Sequence, residues 1–219
     1  MIKIQDLFDL EHSMAKGFLE RLTYPWEALA DLSDWIVTTG KNLNPELYEE
    51  RAEHVWVHKT AEVMPSAFLG APSIIGPRTQ VRHGAFIRGS ALVGADCVVG
   101  NSAELKNVIL FDNVETPHYN YVGDSILGFH AHMGAGSITS NVKADRQNIT
   151  IKTAEGALET GLRKIGAMVG DWVEVGCNAV LNPGTIIGPR TNIYPTVSLR
   201  GVIPADHIVK ASGTVVPKR

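Results

Sequence analysis

The 219-residue sequence predicts an all-β fold, a coil with three flat faces per turn, preceded by a small helical segment. The first observation is an apolar residue that recurs every six positions over most of the chain. The second is a small residue four places after the apolar one, often with glycine directly after the apolar residue. The third is that three such units make one turn, whose faces are buried only when further turns stack on them.

The recurring apolar positions fall into three runs. The first run is Val57, Val63, Leu69, Ile75, Val81, Ile87, Val93, Val99 and Leu105, with Phe111 as a degenerate tenth member. The second run is Tyr121, Leu127 and Met133, and the third is Val169, Val175, Leu181, Ile187, Ile193 and Leu199. This pattern is the hexapeptide repeat of left-handed parallel β-helices. The left-handed sense is taken from that resemblance, since parallel crossovers are generally right-handed.

Residues 1–53 precede the repeat and have a different pattern. Trp26, Leu29, Leu32 and Ile36 follow helical spacing, with Pro25 in a plausible first turn. A second short helix is expected between residues 13 and 22. We interpret residues 1–53 as a helical cap over the open end of the repeat stack, and residues 54–216 as the β-helix domain.

Composition narrows the class of protein. The net charge is −3, so nothing indicates a nucleic-acid partner, and no basic run indicates a membrane surface. No apolar run approaches the ~18 residues of a membrane span, and residues 1–18 lack a signal-peptide pattern. Cys97 and Cys177 lie in different repeats and form no evident disulfide or metal pair. A cytoplasmic location is therefore expected.

The repeat breaks register between Phe111 and Tyr121, which are ten residues apart where six are expected. The interpretation is that four extra residues leave the coil and that the displaced segment presents His118. A second break spans about residues 142–164, which are predicted to form an extruded loop, in the form of a β-hairpin. We expect this loop to close over a substrate without supporting the core.

Two motifs resemble a known family. They are His118-Tyr-Asn-Tyr-Val-Gly-Asp and the following Gly-Ala-Gly-Ser-Ile-Thr-Ser-Asn141. The segment closely resembles the acetyltransferase domain of bacterial bifunctional N-acetylglucosamine-1-phosphate uridylyltransferases. It is also similar to the C-terminal domains of archaeal sugar-1-phosphate nucleotidylyltransferases, which share a return like Arg163 to Ala167. The resemblance covers about residues 54–216.

The resemblance implies a homotrimeric enzyme of nucleotide-sugar and cell-envelope biosynthesis. Its reaction transfers an acetyl group from acetyl-CoA, the co-substrate, to the amine of a hexosamine 1-phosphate, without a metal. His118 matches the catalytic base of the family, and Asn141 matches an asparagine that assists at the reacting centre. The residues matching positions that hold the sugar phosphate are Arg88, Lys106 and Tyr121. The residues matching the acetyl-CoA cleft are Ala135, Cys177 and Pro195.

The sequence departs from the family at three positions. His132 stands where the family has a sugar-contacting asparagine, and Cys177 replaces a serine beside the thioester. Gln147 replaces a lysine, and Arg146 and Lys143 are close enough to substitute for it. The reaction class is compatible with these changes, whereas the identity of the sugar is left open.

The residue types suit this chemistry on their own. An ammonium group must lose a proton before it attacks a thioester, and a histidine imidazole, with an ordinary pKa of ~6.5, can accept it. The Tyr121 hydroxyl and the Asn141 amide can orient the amine or donate to the developing oxyanion. Arg88 and Lys106 supply positive charge for a phosphate.

Two other classes of protein stay open at this point. One is a non-catalytic scaffold or regulatory subunit built on the same repeat. The other is a metal enzyme similar to the γ-type carbonic anhydrases, with His83 and His118 as candidate ligands but no third histidine at the expected spacing.

Overall fold

The computed structural model of the chain describes residues 2–153 and 156–218. The chain winds into a coil whose parallel strands stack in three rows, here called the first, second and third faces. This architecture confirms the predicted all-β parallel β-helix of hexapeptide repeats. Among the described residues, no helix has the length and apolar character needed to cross a membrane.

The strands of the three faces have the following bounds. The first face contains β2 (Val55–His58), β5 (Ser73–Ile75), β8 (Ala91–Val93), β17 (Ala167–Val169), β20 (Thr185–Ile187) and β23 (Val202–Ile203). The second contains β3 (Glu62–Val63), β6 (Gln80–Val81), β9 (Val98–Asn101), β11 (Glu115–His118), β13 (His132–Met133), β18 (Glu174–Val175), β21 (Asn192–Ile193) and β24 (His207–Val209). The third contains β4 (Phe68–Leu69), β7 (Phe86–Ile87), β14 (Ile138–Thr139), β19 (Val180–Leu181) and β22 (Ser198–Leu199). Two longer strands, β10 (Glu104–Leu110) and β12 (Tyr121–Leu127), run from the third face into the first.

Apolar side chains from successive coils stack inside the three faces. On the first face the stacked, buried residues are Val57, Ile75, Val93, Leu110, Leu127, Val169, Ile187 and Ile203. Because each coil buries its apolar residues against its neighbours, the stack forms one continuous core.

The register break differs from the one expected from the sequence. Leu105 is followed in the core by Leu110, five residues later, because β10 runs around the corner without interruption. The same shortening recurs between Val122 and Leu127 in β12. Two successive coils are therefore each one residue short, and no four-residue segment leaves the stack. The prediction that His118 lies in a displaced segment is wrong, since this residue ends strand β11.

The segment after β14 forms an antiparallel hairpin of β15 (Thr150–Thr153) and β16 (Gly156–Glu159). Residues 154 and 155 lie outside the described residues. Ile149 and Ile151 are buried, and their methyl groups pack against the backbone at Gly184. The expectation that this loop leaves the core unaffected is therefore wrong, because two of its side chains belong to the core.

Replacing Ile149 and Ile151 with alanine should destabilise the protein. Each truncation removes a fully buried side chain, which typically costs about 2–5 kcal/mol of unfolding free energy. Chemical denaturation followed by circular dichroism measures the change. Lys152→Ala is the matched control, since Lys152 lies on the same strand with its side chain exposed. Equal stability of the isoleucine variants and the control would contradict the packing described here.

The amino-terminal segment contains α1 (Ile4–Leu7), α2 (Lys16–Leu19) and α3 (Ala28–Gly40), and strand β1 (Tyr48–Ala52) then pairs antiparallel with β2. Helix α3 packs along the first face, on β5, β8 and β10. The helix was expected to cover the open end of the stack, but it covers a side face, where the outward residues Ile74, Leu92 and Ile109 are apolar and buried. At the other end of the coil, β25 (Val215–Pro217) pairs antiparallel with β24.

Asp171 joins the first residues of the chain to the coil. Its buried carboxylate accepts hydrogen bonds from the backbone N–H groups of Asp9 (2.6 Å) and Phe129 (2.8 Å). Burial outweighs these two bonds and raises the pKa of Asp171 from 3.8 to about 6. A buried carboxyl group with a raised pKa therefore links the segment around Asp9 to the coil.

This pKa predicts a pH dependence of stability. Because the folded-state pKa lies above the unfolded value, the contribution of Asp171 is fully present below about pH 4 and is lost as the pH rises through about 6. The loss amounts to at most about 3 kcal/mol. The melting temperatures of the wild type and of Asp171→Asn are measured between pH 4 and 7.5. As the pH rises, the wild type should lose its advantage, so the difference between the two melting temperatures should shrink or change sign. A difference in melting temperature that stays constant over this pH range would contradict the assignment.

Candidate active site

One group of the residues predicted from the sequence forms a row along the corner between the second and third faces. The row contains His118, Ala135, Cys177 and Pro195, each two residues after an inward-facing residue of the second face. Backbone hydrogen bonds link successive members, as between the Gly136 N–H and the His118 carbonyl (2.9 Å). The structure thus places the predicted base and all three predicted cleft residues on one corner, in successive coils.

His118 ends strand β11 with its side chain exposed. Its backbone N–H donates to the Asn120 side-chain oxygen (3.0 Å), and the Asn120 amide group in turn donates to core carbonyls. Among the described residues, no hydrogen-bond partner of the His118 imidazole is found. A fixed backbone and an unengaged imidazole suit a group that must exchange protons with a bound molecule.

A second group lies at the opposite edge of the third face, around the buried carboxylate of Asp124. One oxygen of this carboxylate accepts hydrogen bonds from Lys106 Nζ (2.8 Å) and Asn107 Nδ2 (2.9 Å). Its other oxygen accepts from Asn141 Nδ2. Asp124 and Asn107 both adopt left-handed backbone conformations (φ 48° and 55°), which Asp and Asn tolerate better than most residues. The corner geometry therefore stacks these polar side chains in successive coils.

The hydrogen bonds of Asn141 fix the orientation of its side-chain amide group. A carboxylate only accepts, so the amide nitrogen of Asn141 must point at Asp124. The same nitrogen lies 3.1 Å from the Tyr121 hydroxyl oxygen. Both N–H groups of the amide are thus engaged, which leaves its carbonyl oxygen as the free acceptor. The Tyr121 hydroxyl accepts from Asn141, which leaves its own proton free to donate.

Local structure explains why Tyr121 can reach Asn141. A Cβ on Gly123 would lie 2.5 Å from the Tyr121 hydroxyl oxygen, so this contact requires glycine. Burial raises the pKa of the Tyr121 hydroxyl, and the nearby Asp124 carboxylate raises it further. The hydroxyl therefore keeps its proton at neutral pH and remains a donor.

The cations predicted to hold phosphate are already paired. Arg88 donates to Glu104 (2.8 Å), which raises the pKa of the guanidinium group. Lys106 forms its ion pair with Asp124 at 2.8 Å. The structure brings Arg88, Lys106 and Tyr121, which were predicted to hold the sugar phosphate, to the same edge of the third face as Asn141.

The other predicted residues divide between the two regions. Arg146 lines a pocket together with Asp124. His132 lies on the outer side of the second face, with its ring 2.9 Å from Glu174 and 4.0 Å from Glu115, away from the Asp124 group. Within residues 2–153 and 156–218, no three His, Cys, Asp or Glu side chains are grouped as metal ligands would be.

The pocket beside Asp124 has a volume of about 670 Å³. Helix α3 contributes Leu29 and Ala30 to its wall, and the segments flanking the hairpin contribute Val142, Arg146 and Leu162 to Lys164. Sequence reasoning missed this pocket and the central role of Asp124. The signal for Asp124 was its spacing of 17 residues from both Asn107 and Asn141, which is one shortened coil.

The sequence is similar to many known proteins, including the following two. The chain is 28% identical over 207 residues to the bifunctional protein GlmU of Methanococcus maripaludis, covering 93% of this chain and 50% of the relative. It is 26% identical over 184 residues to a bifunctional sugar-1-phosphate nucleotidylyltransferase/acetyltransferase of Sulfurisphaera tokodaii, covering 82% and 46%. The chain thus spans about half the length of these relatives.

A solved structure is also similar. It is the acetyltransferase domain of PglB from Neisseria gonorrhoeae in complex with acetyl coenzyme A, with 16% identity and a TM-score of 0.40, covering 74% of this chain and 56% of that one. No model of a protein family matches the sequence. The sequence relatives nonetheless bear the names of the enzymes that the two motifs indicated, so the resemblance to hexapeptide-repeat sugar-phosphate acetyltransferases is confirmed.

Proposed function

We propose that the chain is an acetyl-CoA-dependent N-acetyltransferase whose acceptor is an amino-sugar phosphate, a hexosamine phosphate. The observation that carries this proposal is the orientation of Asn141 by Asp124. It presents a carbonyl oxygen, which can accept a hydrogen bond from a substrate amine, beside the free hydroxyl proton of Tyr121. A site with one acceptor for an amine and one donor for an oxygen matches an amine that carries neighbouring hydroxyl groups.

The reaction assigns one role to each group. The imidazole of His118 takes a proton from the ammonium group of the sugar, and the free amine then attacks the thioester carbonyl carbon. The carbon–sulfur bond breaks, and the CoA thiolate receives this proton from the imidazolium. The acylated nitrogen then loses its second proton to the neutral imidazole, which releases it to solvent and leaves the N-acetyl amide.

Asn141 holds the attacking nitrogen through its carbonyl oxygen. Because His118 and Asn141 lie at opposite edges of the third face, the two residues that act on one amine belong to neighbouring chains of the proposed assembly. The sequence leaves two roles open for the Asn141 amide, which are to orient the amine or to donate to the oxyanion. The geometry supports the first role, because both N–H groups of Asn141 are already engaged by Asp124 and Tyr121.

The row of His118, Ala135, Cys177 and Pro195 is the proposed border of the acetyl-CoA cleft. The side chains after His118 in this row are small, and Cys177 is exposed. A thioester that lies along this corner would place its carbonyl carbon within reach of the imidazole. Because this row runs through successive coils, the proposed cleft extends along the stacking direction of the coil.

We assign the third face to contact between chains of a homotrimer. Phe68 and Phe86 project outward from it with 56% and 43% of their surfaces exposed, and their rings touch. Tyr119 and Tyr194, beside the His118 row, are 64% and 44% exposed. Exposed aromatic side chains clustered in this way are typical of protein interfaces. The two groups of site residues flank this face, so a neighbouring chain would complete the cleft.

Assembly should be required for activity. Replacing Phe68 and Phe86 together with glutamate places two charges in the proposed interface and should convert a trimer to monomers without turnover. Sedimentation velocity at the assay concentration measures the state. A stable, fully active monomer would contradict the shared cleft.

Release of CoA thiol from acetyl-CoA tests the activity itself. The assay uses glucosamine 1-phosphate, galactosamine 1-phosphate and UDP-linked amino sugars as acceptors, with the corresponding N-acetylated sugars as controls that have no free amine. We expect turnover with at least one amine and none with the controls. Absence of turnover with every amine by the assembled protein would refute the proposal.

A further inference from the structure

The pocket beside Asp124 contains three cations without carboxylate partners. Arg146, Arg163 and Lys164 line it, and none of them forms an ion pair with a described residue. By contrast, Arg88 and Lys106, the two cations predicted to hold phosphate, are paired with Glu104 and Asp124. Three unpaired positive charges around one pocket of a chain with net charge −3 indicate a site for an anion.

One negative and three positive side chains line the pocket. The carboxylate of Asp124 is hydrogen-bonded to Asn141, and it repels an anion placed directly against it, so a neutral sugar ring suits this part of the pocket. The three cations come from the two segments that flank the hairpin, so the anionic part of a ligand belongs there. The amine of the sugar would then point toward Asn141 and its phosphate toward Arg163 and Lys164.

The pocket also has apolar walls. Leu29 of helix α3, Val142 and Leu162 line it together with the cations. A hexosamine monophosphate offers little apolar surface, limited to the C–H groups of its ring, to bury against these three side chains. A volume of about 670 Å³ has room for a larger ligand, since pockets of about 300–1,000 Å³ hold drug-sized molecules.

We infer that the acceptor is an amino sugar linked to a nucleoside diphosphate, with the diphosphate held by Arg146, Arg163 and Lys164. This inference rests on the proposed acetyltransferase function and specifies its substrate class. The guanidinium groups bind phosphate oxygens through charge-assisted hydrogen bonds, and the nucleoside packs against Leu29 and Leu162. Helix α3 thereby forms part of the substrate site, in addition to covering the first face.

Calorimetric binding to the full chain tests the site without relying on turnover. The probes are UDP, GDP and dTDP, their monophosphates, and glucosamine 1-phosphate. At least one diphosphate should bind about tenfold tighter than its monophosphate and than glucosamine 1-phosphate, and Arg163→Gln with Lys164→Gln should weaken it about tenfold or more. The matched control is Arg21→Gln with Lys41→Gln, which removes the same charges from exposed positions away from the pocket and should bind as the wild type does.

The outcomes separate this inference from the acetyltransferase proposal. If no diphosphate binds, or if both double variants lose binding equally, the diphosphate site is refuted. Efficient acetylation of a hexosamine 1-phosphate that is unaffected by Arg163→Gln with Lys164→Gln would also refute it, while supporting acetyl transfer. Tight diphosphate binding that depends on Arg163 and Lys164, without thiol release from any nucleotide-linked amino sugar, would support the site and refute acetyl transfer.

Discussion

His118→Ala is expected to lower kcat about 10²–10⁴-fold, the usual contribution of a general base, while the protein stays folded. The imidazole is exposed, and both backbone hydrogen bonds of residue 118, to Asn120 and from Gly136, survive the substitution. The stability cost should therefore be small. Acetyl-CoA should still bind in calorimetry, because the remaining row of small side chains is unchanged.

A control for this prediction lies in the same corner row. His83 is two coils earlier, exposed, and bonded through its ring to the Ser66 hydroxyl (2.8 Å). His83→Ala removes an imidazole from an equivalent position on the coil and should leave kcat near the wild-type value. If His118→Ala turns over an authenticated amino-sugar phosphate at nearly the wild-type rate, His118 is not the base.

The sequence was sufficient to predict the coil because its period is carried by many residues. It was not sufficient to locate the shortened coils, since Leu110 and Phe111 are both apolar, as are Tyr121 and Val122. Counting in sixes selected Phe111 and Tyr121, whereas Leu110 and Val122 are the residues in register with the stacked apolar positions of the neighbouring coils. A one-residue shortening at each of two corners was thus read as an insertion of four residues.

The part of the candidate site that was predicted from the sequence consists of residues in the two motifs. Tyr121 and Asn141 were found, and the structure joins them. Asp124 belongs to the same motif but resembles an ordinary turn residue, because its importance arises from partners 17 and 18 positions away in neighbouring coils. The pocket cations at residues 163 and 164 depend on how the hairpin returns to the coil, which no local pattern encodes.

The position of the hairpin is another feature that local sequence patterns did not predict. Its length and polar composition indicated an exposed loop, yet Ile149 and Ile151 are buried. Their alternation with Thr150 is a strand pattern with one buried face, which was the available signal. Which surface they cover was not predictable, since it is the distant corner at Gly184.

Asp124 is expected to act on catalysis through Asn141, and Asp124→Asn should lower kcat about 10–100-fold. The substitution keeps the shape of the side chain but removes the charge that Lys106, Asn107 and Asn141 share. Losing such a charge-assisted bond costs about 1.5–3 kcal/mol, which converts to a fall in rate on the order of 10- to 100-fold. The Asn141 amide can then rotate, so its carbonyl oxygen no longer holds the amine in one place.

A double-mutant cycle distinguishes this role from a general structural one. If Asp124 works by orienting Asn141, then Asp124→Asn should lower kcat much less when Asn141 is already alanine, because the group that it positions is gone. Kinetics are measured well below the melting temperature of each variant, so that loss of fold does not contribute. Additive effects of the two substitutions on kcat would show that Asp124 does not act through Asn141, and that the amide is oriented by other means.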